Sequence, residues 1–244
     1  MENKVALVTG AGIGIGRGIA IELAKAGYNV AINYNSSRAE AEEVCKLINS
    51  MGVKSVMLQA DLSKVDETVK MFNELRNEFD RLDLFVNNSG ITMKSPFLET
   101  TEEIFDKMCD LNFKGAYFCV QQAAKYMVEK NIPGNIIIIS SNHYKAHFDD
   151  VSVYGSVKAG LTKFAEHAAK ELAKYKIRVN VIAPGWTDTG APRMAPKEST
   201  YHKIPLKRWC TPEEIGKAVL YLTSDYAASI TGACLIIDGG AVLV

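Results

Sequence analysis

Tyr154 and Lys158 stand four residues apart, a spacing that places both side chains on one face of a helix. A free phenol is a poor acid or base at neutral pH, but an ammonium about 4 Å away favours the phenolate by roughly 4 kcal/mol at an effective dielectric constant near 20. That stabilisation brings a tyrosine into the range that is useful for general acid–base catalysis. Ser141, which ends the preceding apolar run, could hold a substrate oxygen while Tyr154 transfers the proton.

The spacing alone is a weak signal, because Tyr126 and Lys130 repeat it in the same chain. Tyr126 and Lys130 lie at the polar end of a helical pattern, which we interpret as a solvated helix face. Tyr154 instead opens a helical pattern just downstream of the apolar run that ends in Ser140 and Ser141. Ligands of parallel α/β sheets bind outside the carboxyl ends of the strands, so this position favours a chemical role for Tyr154.

A glycine-rich turn near the start of the chain predicts a phosphate site. An apolar run over residues 4–9 leads into Gly10, Gly14 and Gly16, and residues 14–27 then show helical periodicity. Glycine allows positive φ angles and lets an anion approach the backbone amides without meeting a Cβ. With a strand before it and a helix after it, the turn suits a nucleotide phosphate. No Gly-Lys-Ser or Gly-Lys-Thr follows, which excludes the ATP-type loop.

Short apolar runs alternate with longer helical patterns along the whole chain. The predicted strands are residues 4–9, 29–34, 55–60, 82–87, 134–140, 177–183 and 233–238. The predicted helices are residues 14–27, 38–51, 64–80, 101–130, 152–175 and 212–224. Strands that are apolar throughout, such as the four isoleucines at 136–139, are typical of a sheet covered by helices on both faces. The pattern predicts one α/β domain over residues 1–244 with a doubly wound, seven-stranded parallel sheet.

One long stretch, residues 186–211, has no clear periodicity and contains Pro192, Pro196 and Pro205. Loops of this length in compact domains tend to be lids or binding segments. We therefore expect a substrate lid over about residues 186–211.

The composition excludes several classes of partner. Twenty-eight basic residues balance twenty-eight acidic ones, so no global field favours nucleic acid or an anionic membrane. No apolar run approaches the roughly 20 residues that a membrane helix needs. Five cysteines without a Cys-x-x-Cys pair are typical of reduced thiols, and the first residues enter a strand without the apolar core of a signal peptide. We expect a cytoplasmic protein without nucleic-acid or membrane partners.

Seven motifs follow one another in a recognisable order. They are Thr9-Gly10-x-x-x-Gly14-x-Gly16, Asp61-Leu62, Asn87-Asn88-Ser89-Gly90, Asn112, Ser141, Tyr154-x-x-x-Lys158 and Pro184-Gly185. Their order and spacing resemble the short-chain dehydrogenase/reductase family over essentially the whole chain. Residues 204–214 and 237–240 look most like the branch of 3-oxoacyl-carrier-protein reductases and glucose dehydrogenases. The resemblance implies a single Rossmann-type domain and an oxidoreductase that transfers a hydride between a nicotinamide cofactor and a secondary alcohol or ketone.

The resemblance implies roles in the reaction for four residues. Tyr154 would be the general acid/base, and Ser141 would orient the carbonyl. Ser141 fits better than Ser140 because it stands thirteen residues before Tyr154, as the serine of the family usually does. Lys158 would hold the nicotinamide ribose and stabilise the tyrosinate, and Asn112 would support a water-linked proton relay to Lys158.

The resemblance also implies a set of cofactor-binding residues. Those for the pyrophosphate are Gly10, Gly14, Ile15 and Gly16, and those for the adenine and its ribose are Asp61, Leu62, Asn88 and Gly90. Those on the nicotinamide side are Pro184, Gly185, Thr187 and Thr189, together with Tyr154 and Lys158.

Cofactor choice depends on the end of the second predicted strand. Tyr34 stands where NAD-preferring members usually carry an aspartate for the ribose 2′-hydroxyl. Without that carboxylate a 2′-phosphate is not repelled, and Asn35, Ser36 and Arg38 offer it hydrogen-bond donors and a positive charge. Ile13, however, occupies a position at which many NADP-preferring members carry a basic residue. We predict a preference for NADP(H), with use of NAD(H) as the alternative.

The loop after Ser141 is rich in hydrogen-bonding side chains, among them His143 and His147. Buried donors and acceptors favour ligands that pair with them over ligands that leave them unpaired. We therefore expect a compact polar carbonyl or sugar-like substrate, contacted by Ser141, His143, His147, Tyr154 and Trp186. A 3-oxoacyl thioester is the alternative. The two histidines also have metal-ligand spacing, but we predict no metal site.

Two further expectations concern function class and assembly. A non-catalytic dinucleotide sensor on the same fold is the alternative class, but a sensor does not need Asn112, Ser141, Tyr154 and Lys158 together. The apolar residues of the C-terminal tail 236–244 would be exposed in a monomer. With the family resemblance, they predict a homotetramer in which the helices over 101–130 and 152–175 pack on partner subunits.

Overall fold

Seven strands form one parallel sheet in the computed structural model, which describes residues 4–190 and 198–243. The strands are β1 (Val5–Val8), β2 (Asn29–Tyr34), β3 (Ser55–Gln59), β4 (Leu84–Asn87), β5 (Asn135–Ile139), β6 (Arg178–Pro184) and β7 (Cys234–Ile237). Their spatial order is β3-β2-β1-β4-β5-β6-β7. Every predicted strand is present within two residues of its predicted bounds, so the predicted fold class is confirmed.

Helices cover both faces of the sheet. They are α1 (Gly14–Lys25), α2 (Arg38–Ser50), α3 (Val65–Glu78), α4 (Glu102–Cys109), α5 (Ala116–Glu129), α6 (Ser152–Leu172), α7 (Glu198–Tyr201) and α8 (Pro212–Thr223). Side chains of α3, α5 and α6 form one core with Ile136 and Ile138, and those of α1, α2 and α8 form the other with Ile137 and Ile139. Because successive strand residues point to opposite faces, a strand between two cores is apolar throughout. Within residues 4–190 and 198–243, no helix is both long and apolar enough to cross a membrane.

The predicted continuous helix over residues 101–130 is wrong in its middle. Helix α4 ends at Cys109, a π-helical turn occupies Asp110–Gly115, and α5 begins at Ala116. The extra residue of such a turn changes which side chains point inward. Gly115 ends this turn, and only glycine fits there because an added Cβ would collide with the carbonyl oxygen of Leu62. The interruption matters because it contains Asn112.

The order of the strands defines where a ligand can enter. Strand β1 pairs with β2 on one side and with β4 on the other, so the chain winds in opposite directions from β1. At such a switch point the loops after neighbouring strands separate and leave a crevice at the carboxyl edge of the sheet. Residues from the loops after β1, β2 and β4 line this crevice.

The stretch predicted as a lid is described only in part. Residues 191–197, which include Pro192 and Pro196, lie outside the described residues. On either side of them, Thr187 forms a β-bridge with Cys210, and α7 follows the gap. Trp209 is buried with Ile204, and its Nε1 donates to Thr200 Oγ1 at 2.8 Å. The described ends of this stretch are thus packed onto the rest of the molecule.

Candidate active site

The glycine-rich turn leaves the N-terminus of α1 open. Helix α1 begins at Gly14. Ile13 at the N-cap makes no side-chain hydrogen bond to the helix, and the first turn contains no acidic residue. Gly14 has a φ of +57°, which favours glycine. At Gly16 an added Cβ would lie 2.6 Å from the Asn88 amide nitrogen, so only glycine allows this approach. Uncapped backbone amides at a helix N-terminus are a site for an anion such as a pyrophosphate.

Buried amides lock this turn to its neighbours. Thr9 Oγ1 accepts from the backbone nitrogens of Asn88 (2.8 Å) and Ser89 (3.0 Å), and Asn88 Nδ2 donates to the Thr9 carbonyl at 2.9 Å. Asn33 Oδ1 accepts from the Gly10 amide at 3.2 Å. The side-chain amide of Asn88 therefore holds the turn in place. Asn33 was not among the predicted site residues, although a polar residue inside an apolar strand is a detectable signal.

A cleft of about 830 Å³ extends along the carboxyl edge of the sheet, from the start of α1 to Tyr154. The predicted site residues that line it are Gly10, Gly14, Ile15, Tyr34, Asn35, Ser36, Asp61, Leu62, Asn88, Gly90, Tyr154, Lys158 and Thr189. Lining residues that were not predicted include Asn33, Glu40, Ile91, Thr92 and Leu111. In the described part of the chain, the lining does not include the predicted Gly16, Arg38, Asn112, Ser141, His143, His147, Pro184, Gly185, Trp186 and Thr187.

Two charged residues in the first turn of α2 bear on cofactor choice. Arg38 is exposed and forms an ion pair with Glu42, with 3.4 Å between Nε and Oε1. Glu40, one turn into α2, lines the cleft. Tyr34 is buried at the end of β2 and also lines it. The Arg38 guanidinium thus pairs with Glu42, and the cleft contains the Glu40 carboxylate, which was not predicted.

Asp61 and Leu62 follow β3 at the same edge. The carboxylate of Asp61 accepts from Ser63 twice, from the backbone nitrogen at 3.0 Å and from Oγ at 2.7 Å. Leu62 is buried below the cleft. These bonds fix the turn between β3 and α3, so the wall predicted for the adenine is a rigid one.

Tyr154 and Lys158 lie at the opposite end of the cleft, on the first two turns of α6. Lys158 is only 4% exposed, and its Nζ donates to the Ile139 carbonyl at 3.0 Å and lies 5.6 Å from the centre of the Tyr154 ring. Tyr154 is half-buried, and its hydroxyl has no hydrogen-bond partner among residues 4–190 and 198–243. The arrangement is a fixed, buried cation against a phenol whose hydroxyl is free for a ligand.

The two serines at the end of β5 differ in what they contact. Ser140 Oγ donates to the Lys158 carbonyl at 3.0 Å and pairs with Thr162 Oγ1 at 3.1 Å, so it is engaged with α6. Ser141 Oγ lies 3.0 Å from His143 Nδ1 and accepts from the His143 backbone nitrogen at 3.3 Å. Of the pair, Ser141 is thus the hydroxyl that faces the loop beside Tyr154.

The π-helical turn buries Asn112 beside the segment that follows β4. Asn112 Oδ1 accepts from the Ile91 amide and its Nδ2 donates to the Ile91 carbonyl, both at 2.8 Å. Gly90 separates Asn112 from Lys158, since an added Cβ would lie 3.0 Å from Asn112 Oδ1 and 3.7 Å from Lys158 Nζ. Both ends of the Asn112 amide are therefore occupied by backbone, and the side chain positions the cleft wall.

The loop after Ser141 places one polar ring, not a polar wall, beside Tyr154. The His143 ring meets the Tyr154 ring edge to face at 5.3 Å and stacks at 4.4 Å on Phe148, which in turn contacts Trp186. Burial lowers the pKa of His143, and the charges of Lys158 and Lys94 add to that effect.

The other polar side chains of this loop differ in exposure. Lys145, His147, Asp149 and Asp150 are exposed, whereas Asn142 is buried and Tyr144 is half-buried. His147 does not line the cleft, and the neighbouring Phe148 ring stacks on His143, so the contact of His147 with a substrate stays a prediction.

The turn after β6 holds most of the residues predicted to face the nicotinamide. Gly185 packs against Asp238, where an added Cβ would lie 2.5 Å from the Asp238 Cβ. Thr187 is buried, and its Oγ1 donates to the Gly185 carbonyl at 3.1 Å. Pro184 ends β6 in the core, whereas Thr189 reaches the cleft. Thr189 lines the cleft beside Gly14, the other three shape the turn, and the role of all four toward the nicotinamide stays a prediction.

The residues present fit a bound dinucleotide. One end of the cleft offers uncapped helix amides for a pyrophosphate, and the other offers a buried ammonium beside a free phenol. The close approach at Gly16 leaves no room for a side chain that would block the turn. A cleft with a phosphate cradle at one end and an acid–base pair at the other is the site of a dinucleotide-dependent oxidoreductase.

Comparison with known proteins supports this class. A family model described as "Enoyl-(Acyl carrier protein) reductase" matches residues 10–242. The 3-oxoacyl-[acyl-carrier-protein] reductase FabG of Staphylococcus epidermidis is 39% identical over 241 residues, 98% of each chain. The structure of acetoin dehydrogenase YohF from Salmonella typhimurium superimposes with a TM-score of 0.92 at 32% identity, over 99% of this chain and 98% of that one. A short-chain type dehydrogenase/reductase from Mycobacterium marinum gives a TM-score of 0.91 at 32% identity, over 98% and 94%.

The chain belongs to the short-chain dehydrogenase/reductase family. It is therefore an enzyme of an oxidoreductase family whose members use nicotinamide cofactors. The resemblance drawn from the seven motifs is confirmed. The relatives differ in substrate, since they include an enoyl-(acyl carrier protein) reductase family, a 3-oxoacyl-[acyl-carrier-protein] reductase and an acetoin dehydrogenase.

Proposed function

We propose that the protein interconverts a secondary alcohol and a ketone, with NADP(H) as the favoured cofactor. The observation that carries this proposal is the free Tyr154 hydroxyl beside the buried Lys158 ammonium, at the end of a cleft that begins at an uncapped helix N-terminus. A purely sensory protein would not need this acid–base pair.

The nicotinamide, when bound, supplies or accepts the hydride. In the direction of reduction Ser141 donates a hydrogen bond to the substrate carbonyl oxygen, and Tyr154 Oη gives that oxygen its proton as the carbonyl carbon is reduced. Lys158 stabilises the resulting tyrosinate, because an opposite charge in a partly desolvated site favours the ionised form. Asn112 and Gly90 keep the wall beside Lys158 in place.

The preference for NADP(H) rests on the uncharged end of β2, where Tyr34, Asn35 and Ser36 line the cleft. Glu40 opposes it, because a carboxylate repels a 2′-phosphate. Arg38 can leave Glu42 at little cost, since exposed ion pairs are worth about 0.2–1 kcal/mol and this one is exposed on both sides. We expect Arg38 to turn toward a bound 2′-phosphate.

Kinetics with both cofactors test this choice. The wild-type protein should have the higher kcat/KM with NADPH. Glu40→Gln should raise the NADPH/NADH ratio several-fold, Arg38→Ala should lower it, and Tyr34→Asp should shift it toward NADH. An Arg38→Ala variant with an unchanged ratio, or a wild type that prefers NADH, would contradict the assignment.

The substrate we propose is a compact carbonyl compound with a neighbouring hydroxyl. Its support is the stack of His143 and Phe148 beside Tyr154, with Phe148 in turn against Trp186, which limits the space next to the hydroxyl. The structural similarity to an acetoin dehydrogenase agrees with a small hydroxyketone. A 3-oxoacyl thioester is the second candidate, favoured by the 39% identity to FabG.

A substrate panel separates these candidates. NADPH oxidation is followed with hydroxyketones, sugars and 3-oxoacyl thioesters, and Ser141→Ala serves as the site control. We expect the highest kcat/KM among the hydroxyketones and a loss of at least about 100-fold in Ser141→Ala, as for a lost oxyanion donor. A strong preference for thioesters would reject the compact substrate. No turnover with any carbonyl compound would reject the function.

The assembly we propose is a homotetramer. The α5–α6 face is apolar and exposes Phe113, Tyr117 and Tyr175, while the edge at β7 exposes Leu235 and ends near Leu243. Large exposed apolar patches mark interfaces, and two separate patches suffice for a tetramer built from twofold contacts. Light scattering should give four times the chain mass of 26.7 kDa. A monomer mass at micromolar concentration would contradict this.

We also propose that the protein is cytoplasmic. The support is its cysteines, all five of which are free thiols in the structure. Reduced, unpaired cysteines are typical of that compartment.

A further inference from the structure

A chain of side-chain contacts connects the end of β7 to Ser141. Asn142 is 2% exposed, and its Nδ2 donates to the carboxylate of Asp238 at 3.3 Å. A carboxylate only accepts, so the contact fixes the amide with its nitrogen toward Asp238. The amide oxygen then faces His143 and lies 3.2 Å from Nδ1.

This orientation determines where His143 carries its hydrogen. An amide oxygen cannot donate, so His143 Nδ1 must be the protonated nitrogen of the neutral ring. The same Nδ1 lies 3.0 Å from Ser141 Oγ, and the His143 backbone nitrogen also donates to that oxygen at 3.3 Å. The one Nδ1 hydrogen is therefore shared between Asn142 Oδ1 and Ser141 Oγ, and Ser141 Oγ also accepts from the His143 backbone nitrogen.

The consequence is a defined direction for the Ser141 hydrogen. In the tautomer with Nδ1 protonated, Ser141 cannot donate to the ring, and its hydroxyl hydrogen is left for a ligand. In the opposite tautomer Nδ1 would accept that hydrogen and turn it away from the ligand. Burial lowers the pKa of His143, as do the charges of Lys158 and Lys94, so the ring remains neutral around pH 7.

We propose that His143 is a positioning residue that holds Ser141 as a hydrogen-bond donor to the substrate oxygen, with its tautomer fixed by Asn142 and Asp238. The inference rests on the proposed function, in which Ser141 binds the carbonyl oxygen. It concerns a residue pair, Asn142 and His143, that lies outside the seven motifs on which the family resemblance rests.

Imidazole nitrogen chemical shifts test the tautomer directly and without turnover. The protein, labelled with ¹⁵N at its four histidines, is measured in its full-length form near pH 7.5. The His143 signals are those lost in His143→Asn. We expect the protonated, pyrrole-type shift at Nδ1 and the unprotonated shift at Nε2. The opposite pattern would overturn the inference.

Three substitutions at His143 test the consequence for catalysis. An asparagine can place an N–H where Nδ1 stands, a glutamine places it one bond further out, and a leucine removes it. We expect His143→Asn to keep kcat within about fivefold, and His143→Gln and His143→Leu to lose roughly 10- to 100-fold, the range seen for supporting hydrogen bonds. The cofactor KM should stay unchanged in all three.

Lys145→Leu is the control, because Lys145 is exposed on the same loop. It should leave kcat unchanged, and thermal melts check that each variant folds. If His143→Asn falls as far as His143→Leu, the ring acts through its stacking on Phe148 and the inference is wrong. That result would leave the proposed function intact, because the proposed function depends on wild-type turnover. A wild type without carbonyl reductase activity would reject the proposed function, and the ¹⁵N shifts would still decide the tautomer.

Discussion

Tyr126 and Tyr154 each precede a lysine by four residues, and the structure treats the two pairs in opposite ways. Tyr126, on α5, is fully buried, and its hydroxyl donates to the carbonyl oxygen of Phe79. Its partner Lys130 is exposed, 3.4 Å from Asp80. In the second pair the lysine is the buried member and the tyrosine hydroxyl is free.

The difference shows what spacing decides and what it leaves open. A four-residue interval puts two side chains on one helix face. Whether the phenol can do chemistry depends on where its hydrogen bond goes. In Tyr126 the hydrogen bond is used to join α5 to the end of α3, and the ring lies under the Arg76 guanidinium. The interpretation of Tyr126 as part of a solvated face is therefore wrong, although it holds for Lys130.

Replacing the two lysines should give the largest contrast. Lys158→Ala removes both the cation beside Tyr154 and a wall of the cleft, so we expect kcat/KM to fall at least about 1,000-fold, with a weaker cofactor affinity. Lys130→Ala breaks one exposed ion pair worth roughly 0–1 kcal/mol and should leave activity unchanged. Steady-state kinetics with cofactor titration measure both effects.

Thermal melts of both variants accompany these assays. The comparison between the pairs breaks down if folded Lys158→Ala keeps wild-type activity, or if Lys130→Ala loses it.

Tyr126→Phe should destabilise the fold without slowing the enzyme. It leaves the buried Phe79 carbonyl without its hydrogen bond, which costs about 1–3 kcal/mol. Urea unfolding measures the loss, and kcat should remain within twofold of wild type. A variant as stable as wild type would mean that this hydroxyl does not stabilise the fold. The contrast between a structural Tyr126 and a catalytic Tyr154 would then fail.

At alkaline pH the Tyr126 hydroxyl should no longer contribute to the free energy of unfolding. Burial raises the pKa of Tyr126 above the ordinary value for a tyrosine, while Arg76 opposes this effect and Asp80 and Glu129 add to it. Because the unfolded chain loses this proton first, the stabilisation is complete below pH 10 and is lost as pH rises through the folded-state pKa. The unfolding free energies of wild type and Tyr126→Phe should therefore converge above pH 10. A constant difference from pH 8 to pH 11 would contradict this assignment.

Periodicity predicted the sheet and most helices because each strand lies between two cores and each helix has one apolar face. It could not predict the π-helical turn at Asp110–Gly115, because one inserted residue barely changes a helical pattern and the Leu62 carbonyl that packs on Gly115 is distant in sequence. Tyr126 was misjudged for the same reason. Charged residues lie on both sides of it, at Lys125, Glu129 and Lys130, while the carbonyl that its hydroxyl contacts lies at the end of α3.

The motifs placed the candidate site at the correct edge of the sheet, but not the contacts within it. Arg38 pairs with Glu42, and the charge that lines the cleft belongs to Glu40. Both lie on the first turns of one helix, and only the geometry of α2 decides which of them points inward. In the loop after Ser141, composition predicted a polar wall, but it could not show that Phe148 stacks on His143 or that His147 is exposed.

The most direct test of the central claim measures Tyr154→Phe and Tyr126→Phe side by side for turnover, cofactor affinity and unfolding free energy. Tyr154→Phe should lose about 100- to 10,000-fold in kcat, the contribution of a general acid. Its cofactor Kd should stay within a few fold, and its unfolding free energy within about 0.5 kcal/mol, as for a substitution that breaks no internal contact. Tyr126→Phe should show the reverse. A folded Tyr154→Phe enzyme that keeps more than a tenth of the wild-type kcat would contradict the assignment of Tyr154 as the proton donor.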